Sequence, residues 1–285
     1  MIQDILPMRY HVEYCDLTPE ADDTVFVFSE NKICFADADG ETVLPKIAEV
    51  TKGLSDEQMK QIKFRYLFSI DERRFFMPDI HNTIEIKAPA GYEPQDQNLF
   101  RTLRPQHLGF AGITAYQLYL WYSTHKYCGR CGTETSHSAT ERAVLCPKCE
   151  LLNYPRINPV IIVGVINGED LLVTRYKYRA PGQYSLVAGF IEIGETMEEC
   201  VIREVREETG ISVKNIRYYK SQPWGFSSSL ISGFFCELDG DPTVIRDDIE
   251  LAEALWLRRD ALPPPTNTVS ITAEMIEMFR TGKIR

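Results

Sequence analysis

The sequence predicts an α+β protein of more than one domain, and three observations carry that prediction. Short runs rich in Val, Ile, Phe and Tyr, bounded by Gly, Pro, Asp or Asn, fill residues 10–90 and read as strands. Four cysteines cluster between residues 125 and 156. Beyond residue 157, strand-like segments surround one glutamate-rich helical segment, and a second helix follows them. At 285 residues the chain exceeds one typical domain. The expected division is 1–124, 125–156 and 157–285.

In the first segment, 24–28 and 33–35 flank a turn-like stretch, and 64–70, 74–77 and 83–87 follow as strands. Residues 89–97 read as a loop. Residues 98–124 turn helical, with a break at Pro105, whose ring and missing N–H interrupt a helix. No constellation of reactive side chains appears before residue 124, so a structural or interface role is expected there. In the third segment, 160–166 is a continuous apolar strand that pairs as a hairpin with 170–174 across Asn167 and Gly168. Strands near 213–220 and 230–238 and a helix near 270–281 complete it.

Hydrophobic residues make up 44% and charged residues 25%, the balance of an ordinary globular protein. No apolar run is bilayer-length, and the first residues lack the basic start and apolar stretch of a signal peptide. No membrane partner is expected, and the expected location is cytoplasmic. The formal net charge of −10 opposes broad electrostatic attraction to nucleic acid. An anionic substrate must therefore be met locally, by bound cations or a few placed Arg and Lys side chains.

Cys128, Cys131, Cys146 and Cys149 form two CxxC pairs with fourteen residues between them. Two such knuckles complete a tetrahedron for one structural zinc ion per chain and leave no coordination position open for catalysis. A redox CxxC would leave the second pair unexplained, and disulfides do not suit the expected compartment. Gly129 and Gly132, after the first two cysteines, are expected to permit the turn. Cys15, Cys34, Cys200 and Cys236 read as buried thiols.

The chemistry is carried by GFIEIGETMEECVIREVREETGI at 189–211. Thr196 and Glu199 form a capping box that starts a helix, and Gly210 stops it. Glu204, Glu207 and Glu208 then stand at i, i+3 and i+4 on one face. Their mutual repulsion is relieved by divalent cations, and an all-oxygen donor set suits Mg²⁺ or Mn²⁺. Glu195 approaches the same site from the preceding loop, and Arg203 is placed to pair with a carboxylate. Val201, Ile202 and Val205 are expected to pack on the sheet. A merely solvated, salt-bridged helix does not account for Gly189, Glu195 and Gly210 together. The segment contains no His, so direct attack by water is the expected route.

The segment matches the pattern G-x5-E-x7-R-E-U-x-E-E-x-G-U, where U is a bulky aliphatic residue, and so resembles the Nudix hydrolases. That resemblance implies an α/β/α sandwich with a mixed sheet for 157–285. The four-cysteine ribbon just before it, and SQPWGFSSS at 221–229, narrow the resemblance to the NADH pyrophosphatase and RNA NAD-decapping family. Segments 125–132, 154–157, 186–190 and 263–265 share it, so it covers about residues 110–285. The first hundred residues resemble only loosely the family's N-terminal domain, a non-catalytic Nudix-like unit. Gly225 and Ser227 stand where the family array S-Q-P-W-P-F-P-x-S has prolines.

The resemblance implies metal-dependent hydrolysis of NAD(H) to nicotinamide mononucleotide and AMP, with NAD-cap removal from RNA at the same site. Competing readings are a pyrophosphatase for ADP-ribose or another dinucleotide, and a non-catalytic nucleotide-sensing regulator; the complete 203–208 core argues against the last. By position, Glu204, Glu207 and Glu208, the Ala188 carbonyl and Glu253 would hold the catalytic cations. Tyr154 and Phe190 would flank the nicotinamide, with Glu141 nearby. Gln222, Pro223, Trp224, Gly225, Phe226, Ser227, Ser228 and Ser229 would line the nucleotide pocket, closed near Thr272. Family members are homodimers, and Arg101 is the candidate for an N-terminal arginine reaching substrate. Read from the residues alone, Trp224 and Phe226 are either core or stacking surface, and Glu253 is either a ligand or a solvated carboxylate.

Overall fold

In the second half of the chain, strand Asn158–Asn167 is apolar at nearly every position because both of its faces are covered. This computed structural model describes residues 1–29, 31–38, 41–265 and 267–284. It falls into two compact units, Ile2–Arg156, and Ile157–Arg285 together with Met1.

In the second unit, Asn158–Asn167 runs parallel to Ser229–Leu238 and antiparallel to Asp170–Tyr176 and Val187–Phe190. Val213–Trp224 and Leu251–Arg258 form the two edges, giving the expected mixed sheet. Strand alternation divides the core in two. Ile161, Val163 and Val165 pack with Val201 and Val205 of helix Met197–Thr209 on one face. On the other, Ile162 and Ile166 pack with Ile271, Met275 and Phe279 of helix Ile271–Arg280. Each such side chain contributes about 1.5–3 kcal/mol by leaving water. The result is an α/β/α sandwich that grips the glutamate-bearing helix by its apolar stripe.

The unit Ile2–Arg156 contains a sheet ordered Tyr10–His11, Phe64–Ile70, Arg73–Pro78 and Thr24–Val25. A second sheet joins Val27–Ser29, Lys32–Ala38, Glu41–Val43 and Glu93–Gln95. The strand expected at 83–87 is not formed: Ile84 and Ile86 join the apolar cluster through their side chains, with no backbone ladder beside them. Pro105 is the N-cap of helix Gln106–Thr124, so the expected break falls there, after the 3₁₀ turn Gln97–Arg101.

Residues 125–156 form a three-stranded sheet of Leu152–Asn153, Val144–Leu145 and Ser136–His137. Polar contacts bind it to the rest of its unit. Tyr14 donates its hydroxyl to the Ser138 carbonyl at 2.8 Å, and Arg142 Nη2 donates to the Leu67 carbonyl at 2.5 Å. Buried Asp79 accepts from Arg65 Nε at 2.6 Å and lies 3.1 Å from His137 Nε2. Burial alone would raise Asp79; His137, the His81 amide and Arg65 outweigh it and hold the carboxyl far below its usual range. Among the described residues no helix is long and apolar enough to cross a membrane.

Candidate active site

Helix Met197–Thr209 begins as its sequence dictates. Thr196 Oγ1 accepts the Glu199 amide at 3.2 Å, and Glu199 Oε2 accepts the Thr196 amide at 2.8 Å. Gly210 ends it in the left-handed conformation, φ 71°. Cys200, Val201, Val205 and Thr209 form the buried stripe. Ile202, expected to join it, is exposed, because one residue past Val201 turns the side chain 100° away from the sheet.

The three carboxylates are graded in burial. Glu207 is 61% exposed at its side chain, Glu204 14%, and Glu208 6% as a residue. Glu208 Oε2 is buried without a hydrogen-bond partner. Burial pushes the Glu208 carboxyl up to about 8; the charges of Glu204, Glu250 and Asp247 add to this, and a backbone hydrogen bond at Ala188 opposes it. Burial also raises Glu204, against the pull of Arg203.

Arg203 holds the surrounding frame. Its Nε and Nη2 donate to Glu195 Oε1 and Oε2 at 2.7 and 2.8 Å, a bidentate pair. Nη1 donates to Glu204 at 2.7 Å and Glu207 at 3.1 Å, and Nη2 to the Phe190 carbonyl at 3.1 Å. Glu195 also accepts the Glu192 amide at 3.0 Å, and the Arg203 contact leads in lowering its carboxyl to about 2. Glu195 is thus engaged with Arg203, which in turn aims Glu204.

Gly189 has a steric reason: a Cβ there would lie 1.9 Å from Glu204 Cδ and 2.0 Å from its Oε1. Ala188, its neighbour, pairs with Ile162 on the central strand. Glu253 makes a 2.7 Å ion pair with Arg175, its cross-strand neighbour. The charges felt by Glu208 are instead those of Glu250 and Asp247, whose amide donates to the Glu208 carbonyl at 2.8 Å. Neither residue was singled out in the sequence; the acidic run at 247–250 was visible, but its position beside the helix was not. Tyr176 was also missed. It is raised by burial and by Glu208, and it stacks on exposed Tyr178 at 5.7 Å and 11°.

The array at 221–229 joins two strands through one turn. Gln222, Pro223 and Trp224 end strand Val213–Trp224, Gly225–Ser227 is one 3₁₀ turn, Ser228 is left-handed and Ser229 starts the next strand. Gln222 is fully buried; its Nε2 donates to the Val269 carbonyl at 2.8 Å and its Oε1 accepts the Ile271 amide at 2.7 Å. It therefore sets the start of helix Ile271–Arg280, on which Thr272 is half-buried. Trp224 and Phe226 are half-buried with ring centroids 4.7 Å apart; Pro223 and Ser227 are exposed, and Gly225 is buried. Ser227 and Ser229 hydroxyls lie 2.9 Å apart. Phe190 is exposed. In the unit Ile2–Arg156, exposed Tyr154 donates to Glu141 at 3.0 Å, and Arg101 donates to Asn98 at 3.3 Å.

Gln222→Ala should lower the unfolding free energy by on the order of 2–3 kcal/mol, since it orphans a buried carbonyl and amide. Thermal unfolding checks this. A Gln222 acting mainly on substrate would raise KM with the melting temperature unchanged.

The cysteine ribbon fits zinc. Cys128 and Cys149 sulfurs lie 3.6 Å apart, Cys131 and Cys146 3.5 Å, and all four lie within 4.8 Å of one another. A tetrahedron of about 2.3 Å Zn–S bonds has edges of roughly 3.8 Å. Each knuckle closes alike: Gly132 donates to the Cys128 carbonyl and Glu150 to that of Cys146, both at 2.9 Å. Gly132 and Glu150 are left-handed at φ 70° and 58°. Gly129, expected to serve the turn too, is outside that region, so only one of the two glycines is conformationally required.

A pH dependence follows from Glu208. Its carboxyl is raised when folded, so the folded, metal-free protein holds an extra proton between about 4.5 and about 8. That contribution to stability is complete below the unfolded value and is lost as pH rises through the folded one. Metal-free protein should therefore lose stability from pH 5 to 8. Chemical denaturation with and without Glu208→Gln checks this; the variant should flatten the profile.

Residues 155–279 match the family model of the NUDIX domain, and residues 123–154 that of the NADH pyrophosphatase zinc ribbon domain. NAD-capped RNA hydrolase NudC of Shigella flexneri is 48% identical over 156 residues, 54% of this chain and 60% of that protein. The NudC of Escherichia coli is 47% identical with the same coverage. The chain thus spans about 60% of the length of the curated relatives it matches. A solved NUDIX hydrolase from Nitrosomonas europaea is 22% identical with a TM-score of 0.47, over 55% of this chain and 91% of that one.

Proposed function

We propose that this chain, which carries a Nudix domain behind an NADH pyrophosphatase-type zinc ribbon, hydrolyses the diphosphate of NAD(H) to nicotinamide mononucleotide and AMP. By the same cut it removes NAD caps from RNA, the substrate for which its relatives are named. The observation that carries this reading is the buried, partnerless Oε2 of Glu208 beside Glu204. Without metal that carboxyl keeps its proton to about pH 8, and a divalent cation is the partner that would let it ionise in place.

The donors are all oxygen and fit Mg²⁺ or Mn²⁺. Glu204, Glu207 and Glu208 with the Ala188 carbonyl would hold it, and Glu253, whose Oε1 takes Arg175, would add its other oxygen. When bound, a divalent cation neutralises charge on the diphosphate and lowers the pKa of the attacking water. Water adds to one phosphorus, the bridging P–O bond breaks, and the leaving phosphate carries off its electron pair. Arg203 keeps Glu204 aimed throughout, and Glu195 keeps Arg203 aimed. Trp224, Phe226 and the exposed Phe190 offer ring faces for the bases. Pro223, Gly225, the serines at 227–229 and Thr272 complete the substrate set of this unit, and the roles of Tyr154, Glu141 and Arg101 rest on the family resemblance alone. The N-terminal segment 1–124 serves as a non-catalytic, Nudix-like structural domain of a homodimer.

The test incubates the full chain with Mg²⁺ or Mn²⁺ and, separately, NADH, NAD⁺, ADP-ribose and NAD-capped RNA, resolving products. Mononucleotide pairs from NADH or NAD⁺ support the reading. Turnover of ADP-ribose alone moves the substrate class, and Gly225 and Ser227 in place of prolines are then the first residues to exchange. Binding without product from any of the four would make the chain a nucleotide sensor.

A further inference from the structure

We propose that Asp79, His81 and His137 form a second zinc-binding site, separate from the four cysteines, that fastens the ribbon to the N-terminal sheet within their shared unit. Asp79 and His81 follow strand Arg73–Pro78, whereas His137 lies in the ribbon strand Ser136–His137. A donor atom from each lies within 4.8 Å of the other two. The imidazole centroids are 5.2 Å apart. Two imidazoles on one tetrahedral zinc, at Zn–N bonds of about 2.0–2.1 Å, place their centroids about 5 Å apart.

The surroundings prepare both rings. Glu134 Oε1 lies 3.0 Å from His81 Nδ1, and a carboxylate on one ring nitrogen fixes the tautomer that presents the other to a metal. His81 Nε2 is buried and has no hydrogen-bond partner. The His137 side chain is 7% exposed; its Nε2 lies 3.1 Å from Asp79 Oδ2 and its Nδ1 is buried without a partner. On the metal-facing side the orphan is His81 Nε2, costly in a purely structural contact, while His137 offers the Nε2 that already faces Asp79. Arg65, on Asp79 Oδ2, and the His81 amide, on Oδ1 at 2.8 Å, keep that carboxylate anionic and oriented. Two imidazoles and a carboxylate suit a late first-row divalent ion such as zinc rather than Mg²⁺ or Ca²⁺.

The test counts metal on the full chain, incubated with Zn²⁺ in excess Mg²⁺ and then dialysed against Mg²⁺ buffer. Two zinc ions per chain are expected, falling to one in His81→Gln and in His137→Asn. Co²⁺ loading separates the sites. Thiolate charge-transfer absorption belongs to the ribbon and should be equal in all three proteins, while a d–d band without it should vanish in the variants. His81 is partly exposed, so His81→Gln keeps the test open should His137→Asn fail to fold. One zinc per chain in the unsubstituted protein, or identical Co²⁺ spectra with and without His81→Gln, overturns the site.

Discussion

Glu204→Gln is expected to lower kcat for the dinucleotide by roughly 10³-fold or more while leaving the fold intact. The change removes a carboxylate that would share a cation with Glu207 and Glu208, and several kcal/mol of transition-state stabilisation corresponds to that factor. Its amide remains close in shape, and Arg203 keeps both of its contacts to Glu195. Steady-state kinetics with circular dichroism on the same sample checks the pair of claims. Activity within tenfold of the original would remove Glu204 from the cation site.

Gly189→Ala is expected to be almost as damaging, although it adds one methyl group and touches no charge. The new Cβ would overlap the Glu204 carboxylate, so either that side chain or the strand Val187–Phe190 must move. A displacement near 1 Å at a reacting centre costs on the order of 10²-fold. The same shift moves Ala188 against Glu208. The expected result is a fall in kcat/KM of about 10²-fold and a weaker apparent affinity for Mn²⁺, measured by metal titration of the rate. A variant with unchanged metal dependence would contradict the packing of Glu204 on Gly189.

These two positions also show what the sequence could and could not reveal. The helix was legible because its cap, its stop and its three glutamates are local features with fixed spacing, and the structure reproduces each. The α/β/α sandwich was legible through the resemblance to the Nudix hydrolases, and the unbroken apolar strand agrees with it because both its faces are covered. The roles inside the site were less so, because they depend on cross-chain neighbours. Spacing put Glu195 and Arg203 beside the cluster, and the bidentate contact between them adds which carboxylate of the loop the guanidinium takes. Strand register adds Arg175 as the partner that orients Glu253, a pairing no local spacing shows. Glu250 acts on Glu208, and Glu208 on Tyr176, through folding that no periodicity encodes. Ile202 and the segment 83–87 failed for local reasons: one step of helix rotation, and apolar side chains that reach the core without a ladder.

The most direct measurement cleaves NADH in ¹⁸O-labelled water, with Mg²⁺ or Mn²⁺ and with a chelator, and weighs the products. Nicotinamide mononucleotide and AMP should appear only with the cation, with one labelled oxygen on a phosphate of one of them. Release of free nicotinamide, cleavage that survives chelation, or no cleavage with either cation would contradict a carboxylate helix built to direct water at a diphosphate.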